Sequence, residues 1–206
     1  MNAAWNPIPC YTGQDVFILG GGPSLRGFDF SRLRLKNVIG CNSAAFNSDG
    51  VADIVFFSDY DWFQQNVAKL AEFPGWVVTQ NEALLECGNP IEWLKCMPRR
   101  IDGLHKDALG FGGSTGCSAI NLALILGARR VFLLGIDCAG GYTNEHHFFG
   151  EKETAPEHVA LYQKFREGFS AVAQDLPRVF PGRSVYNLNP FSSMRSFEFM
   201  AVSDAI

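Results

Sequence analysis

Two adjacent histidines offer the clearest chemistry in the sequence. His146 and His147 lie in the segment EHHFFG, residues 145–150. A neutral imidazole accepts a proton from a hydroxyl group near neutral pH, so it suits general-base catalysis. We take His147 as the candidate catalytic base and expect His146 to point elsewhere; the alternative is that both rings merely titrate in solvent. A metal site at the pair is disfavoured, because neighbouring side chains seldom converge on one ion.

A glycine-rich segment points to anion binding. The segment VFILGGGPSL, residues 16–25, places three glycines directly after an apolar run. Glycine lets a ligand approach the backbone, and a proline in the first turn of a following helix sacrifices no hydrogen bond. Backbone N–H groups and the positive end of a helix dipole bind phosphate, although a tight turn without a ligand is the alternative. The predicted phosphate cradle consists of Gly20, Gly21, Gly22, Pro23 and Ser24.

Two familiar glycine motifs fit this segment poorly. A P-loop needs a lysine after its last glycine, and none follows here. The dinucleotide fingerprint needs a third glycine where Leu25 stands, and an acidic residue after the second strand where Asn42 stands. NAD is therefore disfavoured.

Polar residues also end other apolar runs. Asn42 follows VIGC and can both donate and accept a hydrogen bond, which suits a nucleobase or ribose. Ser58 and Asp59 follow DIVFF; we interpret Asp59 as a ligand contact and Asp61 as the N-cap of the next helix. Asp137 follows VFLLGI and is either a nucleotide contact or a residue that holds the next loop.

A small-residue segment precedes an apolar helix. Ser114, Thr115 and Gly116 would supply hydroxyl groups and a close backbone approach at a helix N-terminus. Such a terminus binds anions. An N-cap role is the alternative and is compatible with the same site.

The elements that must position these residues alternate between strand and helix. Predicted strands cover residues 16–19, 38–41, 53–57, 76–79, 131–134 and 184–188, and predicted helices cover 61–73, 118–126 and 156–176. The alternation predicts an α/β fold: a single Rossmann-like domain over residues 1–206, with a mostly parallel central sheet and helices on both faces. Ligands bind at the carboxyl ends of such strands, where the polar residues fall. Residues 86–112 are irregular, either a lid or an excursion at the sheet edge.

Composition narrows the class of protein. The chain has 206 residues, of which 47% are hydrophobic, enough for a sizeable core. A net charge of −4 argues against a nucleic-acid partner. The absence of a signal-like or membrane-spanning run leads us to expect a cytoplasmic protein without a transmembrane segment. The six cysteines form no C-x-x-C pair and are expected to be reduced, mostly buried thiols.

Several segments together resemble a known family. VFILGGGPSLRGFDFSRL, followed by VIGCN, resembles the N-terminal half of the bacterial CMP-sialic-acid-dependent sialyltransferases. GGSTGCSAINLALILGARRVFLLGID is similar to their central segment, EHHFFG to the segment that carries their catalytic histidine, and NLNPFSSM to their C-terminal P-x-S segment. The resemblance spans residues 16–194. The same superfamily includes archaeal-type hydroxymethylpterin pyrophosphokinases and phage-encoded relatives.

The resemblance implies a nucleotide-dependent transferase. The preferred reading is a sialyltransferase-like glycosyltransferase that uses a nucleotide-sugar donor, a small-molecule or glycan acceptor and no required cofactor, with His147 as base and Tyr142 as a phosphate-contacting phenol. An aspartate at Asp59 is closer to the pyrophosphokinase branch, where it would serve a magnesium–triphosphate in transfer to a pterin. A non-catalytic nucleotide-binding or sugar-binding module is the third reading. The sequence leaves open the donor base, the acceptor and the oligomeric state, a homo-oligomer included.

Overall fold

A parallel sheet forms the centre of the molecule. The computed structural model describes residues 4–86, 91–140, 145–150 and 156–206. The strands of this sheet are β1 Asp15–Leu19, β2 Asn37–Cys41, β3 Ile54–Phe57, β4 Trp76–Thr79, β5 Leu94–Cys96, β8 Arg130–Leu134, β9 Ser184–Asn187 and β10 Glu198–Phe199. Their order is β10-β9-β8-β1-β2-β3-β4-β5, and every neighbouring pair is parallel. The predicted parallel sheet is confirmed.

The central strands bury both of their faces. In β1, Val16 and Ile18 belong to one hydrophobic cluster, and Phe17 and Leu19 belong to a second cluster on the opposite face. Successive side chains of a strand point to opposite faces, so a continuous apolar run fills two cores at once. This explains why the strands are short and apolar throughout.

Helices cover both faces of the sheet. Their bounds are α1 Tyr60–Ala71, α2 Ala83–Glu86, α3 Thr115–Ile125, α4 Pro156–Val179 and α5 Val202–Ala205. α3 and α4 pack on the Val16 face, whereas α1 contributes Phe63 and Leu70 to the Phe17 face. The α/β architecture with helices on both faces is confirmed.

α3 ends close to the predicted position. Gly127, with a φ of 99°, follows the C-cap Leu126. A left-handed residue at this point ends a helix, and glycine adopts it without steric cost. The predicted stop at Gly127 is therefore confirmed.

The glycine segment is not followed by a helix, which corrects the sequence interpretation. Pro23–Leu25 is a single 3-10 turn, with Gly22 in an extended conformation before it. Gly27 has a φ of 75°, which breaks the helical path two residues later. The turn therefore lacks the helix dipole that the sequence predicted for it.

The described residues 91–112 form an excursion at the edge of the sheet; residues 87–90 of the irregular segment lie outside the described ranges. β5 pairs with β4 as the edge strand, and Arg99–Arg100 (β6) pairs with Leu109–Gly110 (β7) in a separate two-stranded sheet. None of the described residues in 91–112 lines the larger cavity treated below. Of the two sequence interpretations, the edge excursion holds.

The thiols are mostly buried, as predicted. Cys41, Cys96, Cys117 and Cys138 are buried and free, whereas Cys10 is exposed. Burial raises the pKa of Cys41 and of Cys138 to about 12. These thiols are therefore protonated at neutral pH. Cys87 lies outside the described residues.

The chain changes winding direction at β1. β2 lies on one side of β1 and β8 on the other. The loops that leave β1 and β8 therefore run in opposite directions and open a crevice at the carboxyl ends of these two strands. Ligands bind at such a crevice in open α/β sheets. Within the described part of the chain, no helix combines the length and apolar character that a membrane crossing requires.

Candidate functional site

A cavity of about 930 Å³ opens at the carboxyl ends of β1, β2 and β8. Ten of the residues predicted from the sequence line it: Gly20, Gly21, Gly22, Asn42, Asp59, Ser114, Thr115, Gly116, Asp137 and His147. They come from six separate parts of the chain, and the fold brings them to one rim. Its volume lies in the range of small-molecule sites, roughly 300–1,000 Å³.

Three of the predicted residues that the structure describes do not line this cavity. Pro23 and Ser24 line a smaller neighbouring cavity of about 610 Å³. Ser58 lines neither of the two cavities; its hydroxyl accepts a hydrogen bond from Gln80 Nε2 at 2.9 Å and supports the end of β4. Tyr142 lies outside the described residues.

The glycine turn offers fewer N–H groups than the sequence suggested. The N–H of Gly20 donates to Leu134 O and that of Gly22 to Gly135 O, both at 2.8 Å. These bonds extend the β1–β8 pairing beyond the strands. Among the described residues the N–H of Gly21 has no partner. The predicted cradle of several N–H groups therefore reduces to this one.

His147 lies directly against Gly21. Its Nδ1 is 3.3 Å from Gly21 O, which also accepts the N–H of Phe148 at 3.0 Å. A carbonyl oxygen can only accept, so in this bond Nδ1 carries the proton and Nε2 carries the lone pair. The ring stacks on Phe149, with centroids 4.9 Å apart and planes inclined by 11°. The contact thus orients the imidazole, and in the neutral ring a donor at Nδ1 leaves the lone pair on Nε2.

Gly21 is required by this close approach. A Cβ at Gly21 would lie 2.7 Å from His147 Nδ1, closer than two such atoms come in practice. The histidine could keep its place only if the turn moved. The positions of Gly21 and His147 therefore depend on each other. The sequence does not reveal this dependence, because the two residues are 126 positions apart.

His146 has a different environment. Its Nδ1 is 2.5 Å from the hydroxyl oxygen of Tyr162, a buried residue of α4 that also lines the cavity. The two rings have separate hydrogen-bond partners, but their centroids lie 4.2 Å apart and both residues line the larger cavity. The expectation that His146 points elsewhere therefore stays a prediction.

The N-terminus of α3 faces the cavity. Ser114 is the N-cap, and its hydroxyl oxygen accepts the N–H of Gly116 at 3.2 Å. The N–H of Thr115 has no partner among the described residues. A side chain at Gly116 would approach Ile136 and Phe169 to 3.1 Å, so glycine keeps the helix close to the sheet. The cap and the anion site predicted here are compatible.

Asp137 holds the glycine turn in place. Its carboxylate accepts the N–H of Ser24 at 2.8 Å, the Ser24 hydroxyl at 2.6 Å and Asn189 Nδ2 at 2.7 Å. A Cβ at Gly22 would lie 2.5 Å from the same carboxylate. Asp137 is therefore the residue that fastens β1 to the loop after β9. The sequence interpretation had Asp137 hold the loop that follows it, whereas its carboxylate holds the glycine turn and the loop after β9. Asp137 also lines both cavities, so a nucleotide contact stays a prediction.

Asp59 is the N-cap of α1, which corrects the assignment of that role to Asp61. Its Oδ1 accepts the N–H of Trp62 at 2.9 Å, and Asp61 falls in the first turn. The helix begins at Tyr60, one residue before the predicted start at residue 61. The Asp59 carboxylate nevertheless borders the cavity.

Asn42 presents an acceptor without a partner in the described part of the chain. Its Oδ1 is buried and accepts no hydrogen bond from any described residue, and its backbone has a φ of 50°. Burying an unpaired acceptor costs about 1–3 kcal/mol, so this atom favours a ligand that donates to it. Asparagine tolerates the left-handed conformation better than most residues.

Comparison with solved structures finds proteins that share this fold. The chain has the fold of solved sialyltransferases. The sialyltransferase CstII from Campylobacter jejuni, solved with the substrate analogue CMP-3FNeuAc, matches with a TM-score of 0.52 and 16% identity over 91% of this chain and 85% of that chain. CstII with cytidine-5'-monophosphate gives 0.50 and 16% over 91% and 84%. An α-2,3-sialyltransferase from the same organism, in apo form, gives 0.52 and 18% over 97% and 85%.

Sequence comparison finds less than structural comparison does. No protein-family model matches the chain, and no curated protein matches it either. The likeness to the sialyltransferases therefore establishes the fold.

Sequence reasoning missed part of the cavity wall. Trp62, Gln65 and Asn66 of α1 and Tyr162 of α4 line it. Residues three and four apart share a helix face, so the polar pair Gln65 and Asn66 on the Trp62 face was a readable signal. Tyr162 lies among apolar residues of its helix, and the role of its hydroxyl depends on His146, which lies outside that helix.

The charge of the cavity is distinctive. No lysine or arginine is among the described residues that line it. Asp59 caps a helix and Asp137 binds Ser24. In the described ranges, no three His, Cys, Asp or Glu side chains lie close enough together to hold a metal ion. An anion here would be bound by N–H groups, hydroxyl groups and imidazole.

Proposed function

We propose that the protein is a sialyltransferase-like glycosyltransferase that transfers a sugar from a nucleoside-monophosphate donor, with His147 as general base. One observation carries the proposal: His147 Nδ1 donates to the carbonyl of Gly21, the residue whose own N–H has no partner in the described chain. A base and an anion donor therefore lie at the same point. The fold shared with the sialyltransferases supports the same conclusion.

In the proposed reaction His147 Nε2 takes the proton of an acceptor hydroxyl. The hydroxyl oxygen forms a bond to the anomeric carbon of the donor sugar. The bond from that carbon to the phosphate oxygen breaks, and the nucleoside monophosphate leaves with its electron pair. The N–H groups of Gly21 and Thr115 would stabilise the developing phosphate charge, as preorganised donors do.

The anion donors at the glycine turn and at the N-terminus of α3 suit one phosphate group. They include the N–H groups of Gly21 and Thr115 and the hydroxyls of Ser114 and Thr115. A triphosphate carries several charges and needs cations to offset them. The two CstII complexes contain CMP or a CMP-linked sugar analogue, which accords with a monophosphate donor.

The test is an assay of the purified protein with CMP-activated sugars and a panel of hydroxyl acceptors. We expect CMP release that depends on the acceptor. His147→Ala should lower transfer by about 10²–10⁴-fold, because it removes the base, and should leave donor affinity unchanged. His146→Ala should have a smaller effect.

His105→Ala is the matched control. His105 contacts Asp102 O at 3.1 Å and does not line the cavity. Full transfer by His147→Ala, or equal losses in the His105 and His147 variants, would remove the assigned base. Absence of transfer from every nucleotide sugar would leave the protein a binding module.

A further inference from the structure

The smaller cavity continues the larger one. The two share Gly135, Asp137 and Ala139 as wall residues. The anion donor Gly21 lies on the side of the larger cavity and Ser24 on the side of the smaller one. A nucleotide sugar has two arms, one on each side of its phosphate. Because the sugar arm must reach His147 in the larger cavity, the nucleoside arm has the smaller one open to it.

The walls of the smaller cavity suit a flat ring. Its volume is about 610 Å³, and its apolar lining includes Phe28, Leu188 and Phe191. Phe191 is 77% exposed at this cavity, an unusual position for a large aromatic side chain. Any nucleobase can stack on an aromatic side chain, because every base has a flat π-face. The exposed ring is therefore a candidate stacking surface.

One acid in this wall could choose between bases. The Glu145 side chain is 14% exposed, lines the cavity and forms an ion pair with Arg26 at 3.7 Å. An ionised carboxylate only accepts hydrogen bonds. It can accept a hydrogen bond from the amino group of cytosine or adenine. It repels the carbonyl oxygen that uracil or hypoxanthine carries at the same position.

We propose that the smaller cavity binds the donor's nucleobase and that Glu145 selects bases with an exocyclic amino group. The inference rests on the proposed function, since it takes the ligand to be a nucleotide sugar. Phe191 supplies stacking, which is common to all bases. Glu145 supplies the discrimination, and the ion pair with Arg26 orients its carboxylate.

The experiment compares nucleotide affinities by titration calorimetry on the full chain. CMP and UMP differ at one position of the base, as do AMP and IMP. We expect CMP to bind at least about 10-fold more tightly than UMP, and Glu145→Gln to bring the two within about 3-fold, because an amide also donates. Phe191→Ala should weaken CMP and UMP equally, by about 10-fold. Glu167→Gln, an exposed acid of α4 outside both cavities, is the control and should change nothing.

The outcomes separate the two proposals. Equal affinity of the wild type for CMP and UMP, or an unchanged ratio in Glu145→Gln with its circular dichroism intact, overturns the base site while transfer assays still test the enzyme. Binding of none of the four nucleotides overturns both. A preference for AMP over IMP that Glu145→Gln abolishes supports the same contact to a purine. If the protein prefers CMP over UMP but does not prefer AMP over IMP, the site is restricted to pyrimidines.

Discussion

At the scale of single residues, the site depends on contacts between backbone and ring. Gly21 gives its carbonyl to His147 and leaves its N–H to a ligand. A substitution there acts on two functions at once. The first is the position of the base, and the second is access to the anion donor. Loss of activity in such a variant therefore does not identify a phosphate contact by itself.

We predict that Gly21→Ala lowers transfer by at least about 10²-fold, the scale of a lost general base, because the new Cβ displaces the imidazole. It should also weaken CMP binding. Steady-state kinetics and calorimetry measure the two effects separately.

Gly150→Ala is the control for this prediction. Gly150 lines the same cavity, but a Cβ there meets no atom of the described residues within 4 Å. It should keep both activity and affinity. A Gly21→Ala enzyme with wild-type kinetics would show that His147 tolerates a displaced turn, contrary to the geometry.

At the scale of elements, α1 begins at a residue that borders the cavity. Asp59 accepts the N–H of Trp62, and Trp62 Nε1 in turn donates to Ser43 Oγ at 2.9 Å. The cap thus fixes the helix that carries Gln65 and Asn66 to the wall. A structural role at the helix terminus is sufficient to explain this carboxylate.

The prediction concerns two substitutions of Asp59. Asp59→Ala should lower the free energy of unfolding by about 1 kcal/mol, because the cap is lost. Asp59→Asn should keep both stability and transfer, since asparagine caps about as well. Urea unfolding and the transfer assay measure the two quantities.

Asp61→Ala removes the negative charge in the first turn of α1 and leaves the Asp59 cap in place. It should cost only a few tenths of a kcal/mol, the lower end of a helix-dipole interaction. Loss of turnover in a stable Asp59→Asn protein would instead indicate a metal ligand and favour the pyrophosphokinase interpretation.

At the scale of the whole molecule, the proposed anion site of this acidic protein depends on local donors. The net charge is −4, and no cationic side chain stands among the described lining residues of the larger cavity. One phosphate group can be held by N–H groups at a turn and a helix N-terminus. A magnesium-bound triphosphate would need carboxylates, and Asp59 and Asp137 already accept hydrogen bonds from the protein.

We therefore predict that transfer is unchanged in excess EDTA and that added Mg²⁺ does not raise it. The physical reason is that a monophosphate leaving group develops little charge beyond what the N–H and hydroxyl donors offset. Initial rates with and without chelator measure this. A rate that EDTA abolishes and Mg²⁺ restores would contradict the prediction and return the magnesium-dependent alternative.

The sequence by itself determined the fold class and the rim. Short apolar runs alternate with helical segments, and this order alone requires parallel strands whose carboxyl ends meet at one edge. It also placed Gly21, Asn42, Ser114 and His147 at that edge. Periodicity and chain order are local properties, so they can be read without coordinates.

Only the tertiary structure decided what each polar group does. Whether an N–H is available depends on acceptors such as Gly135 O, which belong to another strand. Asp137 proved to bind Ser24 across 113 positions of sequence, and His147 proved to need Gly21 across 126. Hydrogen bonds and close contacts form between neighbours in space, and a sequence does not record which distant residues those are.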